Sequence, residues 1–172
     1  MHVRDATPDD AALCAAIYAP YVTGSVITFE SEPPDAGAMA ERIAAAQVKH
    51  AWLVAERDGA VAGYAYAGPW KARPAYRWSC EATVYVAAGA QRGGVGRALY
   101  AALLDRLAAR GYRTVVGGVT LPNDASVGLH RALGFEPVGT FPRIGWKLGE
   151  WRDVHYLVRH LGPDSDRPAE PR

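Results

Sequence analysis

Three groups of residues in this chain have types and spacing suited to chemistry. The first is Gln91-Arg92-Gly93-Gly94-Val95-Gly96-Arg97, a glycine-rich turn leading into an amphipathic helix whose apolar stripe is Val95, Ala98, Leu99, Ala102, Leu103 and Leu107. Small residues at a helix start let backbone N–H groups converge. Those unpaired donors and the helix dipole make an anion site suited to a phosphate or pyrophosphate, with Arg92 and Arg97 adding charge at its rim. The second is Glu81, at the head of a run otherwise made of Ala, Thr, Val, Tyr and Val. Strands disfavour Glu, so a carboxylate here is a candidate base; the competing reading is a solvated strand end paired with Arg77. The third is the loop Trp70–Trp78, where Lys71 and Arg73 stand among Trp70, Tyr76 and Trp78. Arginine matches a planar carboxylate or a similar oxyanion, and aromatic rings would wall and limit a pocket. The competing reading is an exposed loop with snorkelling basic side chains.

Spacing narrows what the glycine loop holds. A phosphate loop of the GxxxxGK[ST] kind needs Gly-Lys-Ser/Thr, which is missing, and GxGxxG fails because Gly94-Val95-Gly96 is followed by Arg97, Ala98 and Leu99. A tight turn that merely joins strand to helix remains the alternative. The alternation of basic and aromatic residues in Trp70–Trp78 would also suit nucleic-acid stacking. With 19 Lys and Arg against 18 Asp and Glu, however, the net charge of +1 argues against a nucleic-acid or membrane-surface partner.

These groups need a scaffold. With 172 residues, 49% of them hydrophobic, the chain is expected to fold as one domain with its own core, spanning residues 1–161. Cys14 and Cys80 are far apart and form neither a disulfide framework nor a metal-ligand pair, so no metal is expected. No apolar run approaches the roughly 18 residues of a membrane span, and the charged start Met1-His2-Val3-Arg4-Asp5 is unlike a signal peptide. A cytoplasmic protein is the expectation.

Along the chain, a strand at His2–Ala6 meets Thr7 as N-cap of a helix running to about Pro20, and Tyr21–Pro34 reads as irregular. A second helix fits Asp35–Gln47. Asp58-Gly59 joins strands Ala51–Arg57 and Ala60–Gly68 in a hairpin. Strand Glu81–Val86, the helix from Val95 to Gly111, strand Thr114–Thr120 and a short helix Ala125–Leu133 follow. Strands Phe135–Phe141 and Val154–Val158 close the fold, separated by Pro142–Arg152. Gly162–Arg172 reads as a disordered tail. The order indicates an α/β (α+β) fold with a mixed, mostly antiparallel sheet flanked by helices on both faces.

Two motifs in the right order resemble the GCN5-related N-acetyltransferase superfamily. Its Q/R-x-x-G-x-G/A loop is matched by Gln91–Gly96, and its Asn-x-x-Ala/Ser-x-x-Leu-x-x-x-Leu-Gly-Phe signature by Asn123, Ser126, Leu129, Leu133, Gly134 and Phe135. The likeness runs from Val3 to about Leu161. It is nearest to the phosphinothricin acetyltransferase branch, through Thr28-Phe29 before Glu32-Pro33, Ala67-Gly68-Pro69-Trp70-Lys71-Ala72-Arg73, Glu81–Val86 and Leu121-Pro122-Asn123-Asp124. The resemblance implies acetyl-CoA as cosubstrate, with backbone groups of Val84 and Val86 on its pantetheine arm and the Gln91–Arg97 loop on its pyrophosphate. Asn123 and Ser126 would lie near the thioester. It implies Glu81 as general base, His130 beside the reacting centre where many relatives carry tyrosine, and Phe29, Lys71, Arg73 and Tyr76 around a small amino-acid substrate. Phosphinothricin, methionine sulfoximine and methionine sulfone are the substrates implied, together with a homodimer in which the C-terminal part of each chain completes the other's site. A non-catalytic acyl-CoA sensor and an acetyltransferase for protein or peptide amines are the competing functions. Lys71 and Arg73 oppose the latter, since a basic peptide calls for an acidic groove.

Overall fold

Eleven segments of the chain have regular structure in a computed structural model, which describes residues 1–162 and 168–172. They are β1 (His2–Asp5), α1 (Ala11–Gly24), α2 (Ala36–Lys49), β2 (Trp52–Arg57), β3 (Ala60–Pro69), β4 (Ser79–Val86), α3 (Val95–Ala109), β5 (Thr114–Thr120), α4 (Asp124–Ala132), β6 (Glu136–Lys147) and β7 (Glu150–His160). The strands form one sheet in the order β1-β2-β3-β4-β5-β7-β6, antiparallel at every pairing except the parallel β4–β5 pair. Asp58 and Gly59 both adopt positive φ, 53° and 80°, as the expected hairpin requires.

Period-two alternation divides the strands between two cores. Leu53, Ala65, Ala82 and Val115 face α3, whose Leu99, Leu103 and Leu107 are fully buried. Each such leucine contributes about 2 kcal/mol of apolar burial, which is what holds this helix to the sheet. Trp52, Val54, Tyr64 and Tyr85 face the other way, onto Tyr18 and Val22 of α1 and Met39 and Ile43 of α2. The helices therefore cover both faces, α1 and α2 on one and α3 with α4 on the other, as the fold-class reading expects.

Local boundaries differ from the expectation in three places. First, α1 continues through Pro20 to Gly24. Packing carries it past the missing N–H: Val22 is buried, and the Tyr21 hydroxyl donates to the Val86 carbonyl at 2.6 Å. Second, β4 begins at Ser79, so Glu81 sits inside the strand rather than at its head. Third, most of Pro142–Arg152 is not a connection but the two long arms of the β6–β7 hairpin. Its register slips by two residues between Phe141 and Gly145, and this bulge accommodates Pro142 and the positive φ of Arg143. Of the tail expected to be disordered over 162–172, residues 163–167 lie outside the described residues. Beyond them, the Ala169 carbonyl accepts from Trp78 Nε1 at 2.8 Å, Glu170 pairs with Arg77 at 2.9 Å and the Arg172 amide donates to Arg110 at 2.8 Å. Arg77 is thus engaged away from Glu81, which removes the partner that the bland reading of Glu81 needed.

Candidate active site

The site grows from a fault in the sheet. Parallel pairing of β4 with β5 covers only Ser79–Glu81 against Thr114–Val116, and beyond that point the two strands part. The β3–β4 register, with Ala87 N–H bonded to the Ala62 carbonyl, turns the backbone groups of Ala82, Val84 and Val86 away from β3 and into the gap. Two of these carbonyls are met by tyrosine hydroxyls: Tyr100 donates to Ala82 at 2.9 Å and Tyr21 to Val86 at 2.6 Å. Val84 between them offers a strand edge to an extended ligand.

A cleft of about 230 Å³ opens at this gap, lined among others by Phe29, Glu81, Val84, Tyr100, Asn123, Ser126, His130 and Tyr156. The glycine doublet of β5 lets two catalytic-type side chains close on it from opposite faces. A methyl group on Gly117 would overlap the His130 ring, and one on Gly118 would lie 3.3 Å from Glu81 Oε1 and 3.2 Å from the Tyr156 ring. Glycine weakens a strand interior, and here close approach from both sides is the reason for it.

Glu81 is half-buried on the α1/α2 face. Burial raises its pKa and the nearby Lys71 ammonium partly offsets the rise, so the carboxylate is held in a state ready to take a proton. Lys71 itself is exposed, its Nζ 4.7 Å from the Trp70 ring centre, and Trp70 meets Tyr156 edge-on at 5.6 Å. Trp78 lies apart, beneath the Arg77 guanidinium, and does not wall the cleft.

His130 approaches from the α3/α4 face and is 3% exposed. Its Nδ1 lies 2.8 Å from the Ser126 carbonyl, an oxygen that can only accept, so Nδ1 carries the proton. Burial lowers the His130 pKa against the opposing pull of that bond. The neutral ring then presents a lone pair at Nε2, 3.0 Å from the Tyr100 hydroxyl. Tyr100 has one proton and two acceptors, His130 Nε2 and the Ala82 carbonyl, and its own pKa is pushed far up by burial.

The glycine loop stands at the start of α3, outside the lining of this cleft. Gly94 has φ 78° and caps α3, leaving first-turn N–H groups free to meet an anion. Gln91, Arg92, Gly93 and Arg97 are exposed, while the Val95 side chain is buried in the core, so only its backbone can serve a ligand. At Gly96 a methyl group would make only ordinary contacts, with Leu129 at 3.4 Å and Val86 at 3.6 Å. Asn123 caps α4, its side chain accepting from the Ser126 backbone amide at 3.1 Å, which fixes the Asn123 side chain at the cleft.

Glu81, His130, Val84, Asn123, Ser126 and Phe29 are thus brought together. Arg73 and Tyr76 are not: both are exposed and neither lines this cleft. Tyr100, Tyr156 and the Gly117-Gly118 pair are additional members. The glycine doublet inside a β-rich run was the available signal, whereas Tyr100 is hidden within the apolar stripe of its helix. No group of three or more metal-ligating side chains exists among the described residues.

Comparison with known proteins agrees with this geometry. Residues 16–135 match the Acetyltransferase (GNAT) family. The chain is 44% identical over 172 residues to phosphinothricin N-acetyltransferase of Streptomyces viridochromogenes, covering 100% of this chain and 92% of that protein. It is 35% identical over 168 residues to an L-methionine sulfoximine/L-methionine sulfone acetyltransferase of Pseudomonas paraeruginosa, covering 96% and 98%. A GNAT phosphinothricin acetyltransferase from Sinorhizobium meliloti, solved in complex with AcCoA, superposes with a TM-score of 0.94 at 35% identity, covering 98% of this chain and 93% of that one. The chain belongs to the GNAT acetyltransferase family, within its phosphinothricin N-acetyltransferase-like branch, and is an N-acetyltransferase.

Proposed function

We propose that this enzyme transfers the acetyl group of acetyl-CoA to the α-amino group of a small, acidic amino-acid-like substrate of the phosphinothricin, methionine sulfoximine or methionine sulfone type. The observation that carries the reading is Glu81: a half-buried carboxylate of raised pKa in a cleft where two parallel strands part. The residues fit acetyl-CoA. The α3 start and the Arg92 and Arg97 side chains suit a pyrophosphate, the free edge at Val84 suits the amide-bearing pantetheine arm, and Asn123 and Ser126 flank the inner end. When bound, it supplies a thioester carbonyl open to attack by an amine.

An amino acid arrives largely as its ammonium form, with a pKa of roughly 8–10, and only the neutral amine is a nucleophile. Glu81, directly or through one water, takes that proton. Lys71 attracts the substrate's acidic group and tunes Glu81. Tyr100, protonated across the physiological range, has one proton to donate, and its role is to turn that proton from the Ala82 carbonyl or His130 Nε2 to the departing sulfur. Direct transfer is favoured over an acetyl-enzyme, because Cys14 and Cys80 are buried and burial pushes both thiols up to about 12.

The same reading includes a cytoplasmic homodimer. Among the described residues no helix is long and apolar enough to cross a membrane. The β6–β7 hairpin exposes Phe141, Ile144, Trp146, Leu148 and Trp151, an apolar surface suited to a second copy. Light scattering at micromolar concentration tests this, and a monomer would refute it. Thiol release from acetyl-CoA against phosphinothricin, methionine sulfoximine, methionine sulfone, the standard amino acids and a lysine-rich peptide tests the substrate. Turnover confined to the acidic analogues supports the reading, and preference for the peptide overturns it.

A further inference from the structure

Phe29, one wall of the cleft mouth, sits in the irregular segment between α1 and α2, which has no strand or helix to hold it. Its anchorage comes from the other end of the chain. Lys147, the last residue of β6, is 9% exposed, and its Nζ donates to the carbonyls on either side of Phe29: Thr28 at 2.7 Å and Glu30 at 2.8 Å. Two residues earlier on the same strand, Gly145 lies under the Phe29 ring, where a methyl group would overlap it. The Glu30 carboxylate is held separately by Arg42, at 2.7 and 3.0 Å.

A buried ammonium is costly unless it is hydrogen-bonded, and an irregular loop leaves carbonyls in need of donors. Each need is met by the other here. The two bonds bracket one side chain, and that side chain lines the amine end of the cleft. We infer that Lys147, with Gly145, is a positioning pair that fixes Phe29 at the substrate entrance and so sets affinity for the amine rather than for the acyl donor. This rests on the amino-acid reading above. The α3 loop, proposed above for the acyl donor, does not line this cleft.

The test uses the full-length protein as Lys147→Met, which keeps the length of the side chain and removes its donors, beside Lys147→Arg and Gly145→Ala. Amine and acetyl-CoA are titrated separately, and hydrogen exchange of residues 25–34 is followed without substrate. For Lys147→Met the amine KM rises about tenfold while the acetyl-CoA KM stays within about twofold, and exchange in 25–34 quickens about tenfold. Lys147→Arg recovers most of both effects, and Gly145→Ala raises the amine KM without quickening exchange elsewhere. Unchanged exchange and unchanged amine KM would overturn the inference, as would equal rises in both KM values. If the wild type accepts none of the amino-acid panel, the substrate reading fails, while the exchange measurement still decides whether Lys147 holds the loop.

Discussion

Two acidic side chains, Asp10 and Glu81, are both removed from bulk water, yet their surroundings drive them in opposite directions. Asp10 is 4% exposed and fully engaged: Arg4 donates to both of its oxygens at 2.7 and 2.8 Å, and the Thr7 amide donates at 2.7 Å. The Arg4 bonds hold its carboxyl below the usual carboxylate range, overcoming the cost of burial. Among the described residues Glu81 has no hydrogen-bonded cation; burial dominates and its pKa rises, with only the Coulombic pull of Lys71 opposing. The first carboxylate fastens β1 to the start of α1. The second lines the cleft with its pKa raised. Burial alone therefore does not mark a candidate acid or base; burial without a directly bonded cation is the stronger signal.

The largest expected effect comes from removing the carboxylate of raised pKa. Glu81→Gln should lower kcat/KM by about 10²–10⁴-fold while leaving the melting temperature equal or higher, because a charge that burial disfavours is gone. Steady-state kinetics and calorimetry on the same preparation check both halves. A destabilised but active variant would collapse the distinction between the two groups.

Asp10→Asn should do the reverse. It leaves Arg4 and the Thr7 amide short of an acceptor and costs about 2 kcal/mol in urea unfolding, with kcat/KM within about twofold of wild type. The pH dependence carries the same sign. A depressed folded pKa means that the Asp10 contribution is present above the unfolded carboxylate pKa and fades as pH falls through the lower folded value. Glu81 contributes oppositely: its share is full below the unfolded pKa and is lost as pH rises through the raised folded value. Acid titration of stability in the two variants separates these slopes.

Gly118→Ala sharpens the comparison at lower cost. Its methyl group would stand 3.3 Å from Glu81 Oε1, so the carboxylate must shift by a few tenths of an ångström. A fall in kcat of about threefold to tenfold is expected, with little change in acetyl-CoA affinity by calorimetry. The smallest effect is electrostatic. Lys71→Met removes the charge that opposes the rise of the Glu81 pKa, so the acid limb of the kcat/KM profile should move to higher pH by a fraction of a unit. A shift to lower pH would contradict the assignment of Glu81 to that limb.

Much of this arrangement was legible before folding was considered. The strand, glycine turn and helix around Gln91–Arg97 are local, and so are the Asp58-Gly59 hairpin and the alternation of β4, because each depends on neighbours two to four residues away. The continuation of α1 past Pro20 was not legible: propensity forbids it, and contacts with Tyr85 and Val86, over sixty residues distant, override propensity. Nor was the β6–β7 hairpin, whose Pro142 and Gly145 break the pattern of a strand and are absorbed by a bulge. Tyr100 and Lys147 carry types that read as core and surface, yet their polar ends meet His130 and the Phe29 loop only in three dimensions.

By itself the sequence determined the order of elements, the glycine loop at the α3 start and the two motifs that identify the family, because hydrophobic period, turn chemistry and helix-start geometry are short-range properties. Which carboxylate is poised for a proton was decided by tertiary structure. Asp10 meets Arg4 across six residues, whereas the surroundings of Glu81 come from Lys71, Gly118 and Tyr156 on three separate segments. A pKa is set by every charge and every water within a few ångströms, and those distances exist only once the chain has folded.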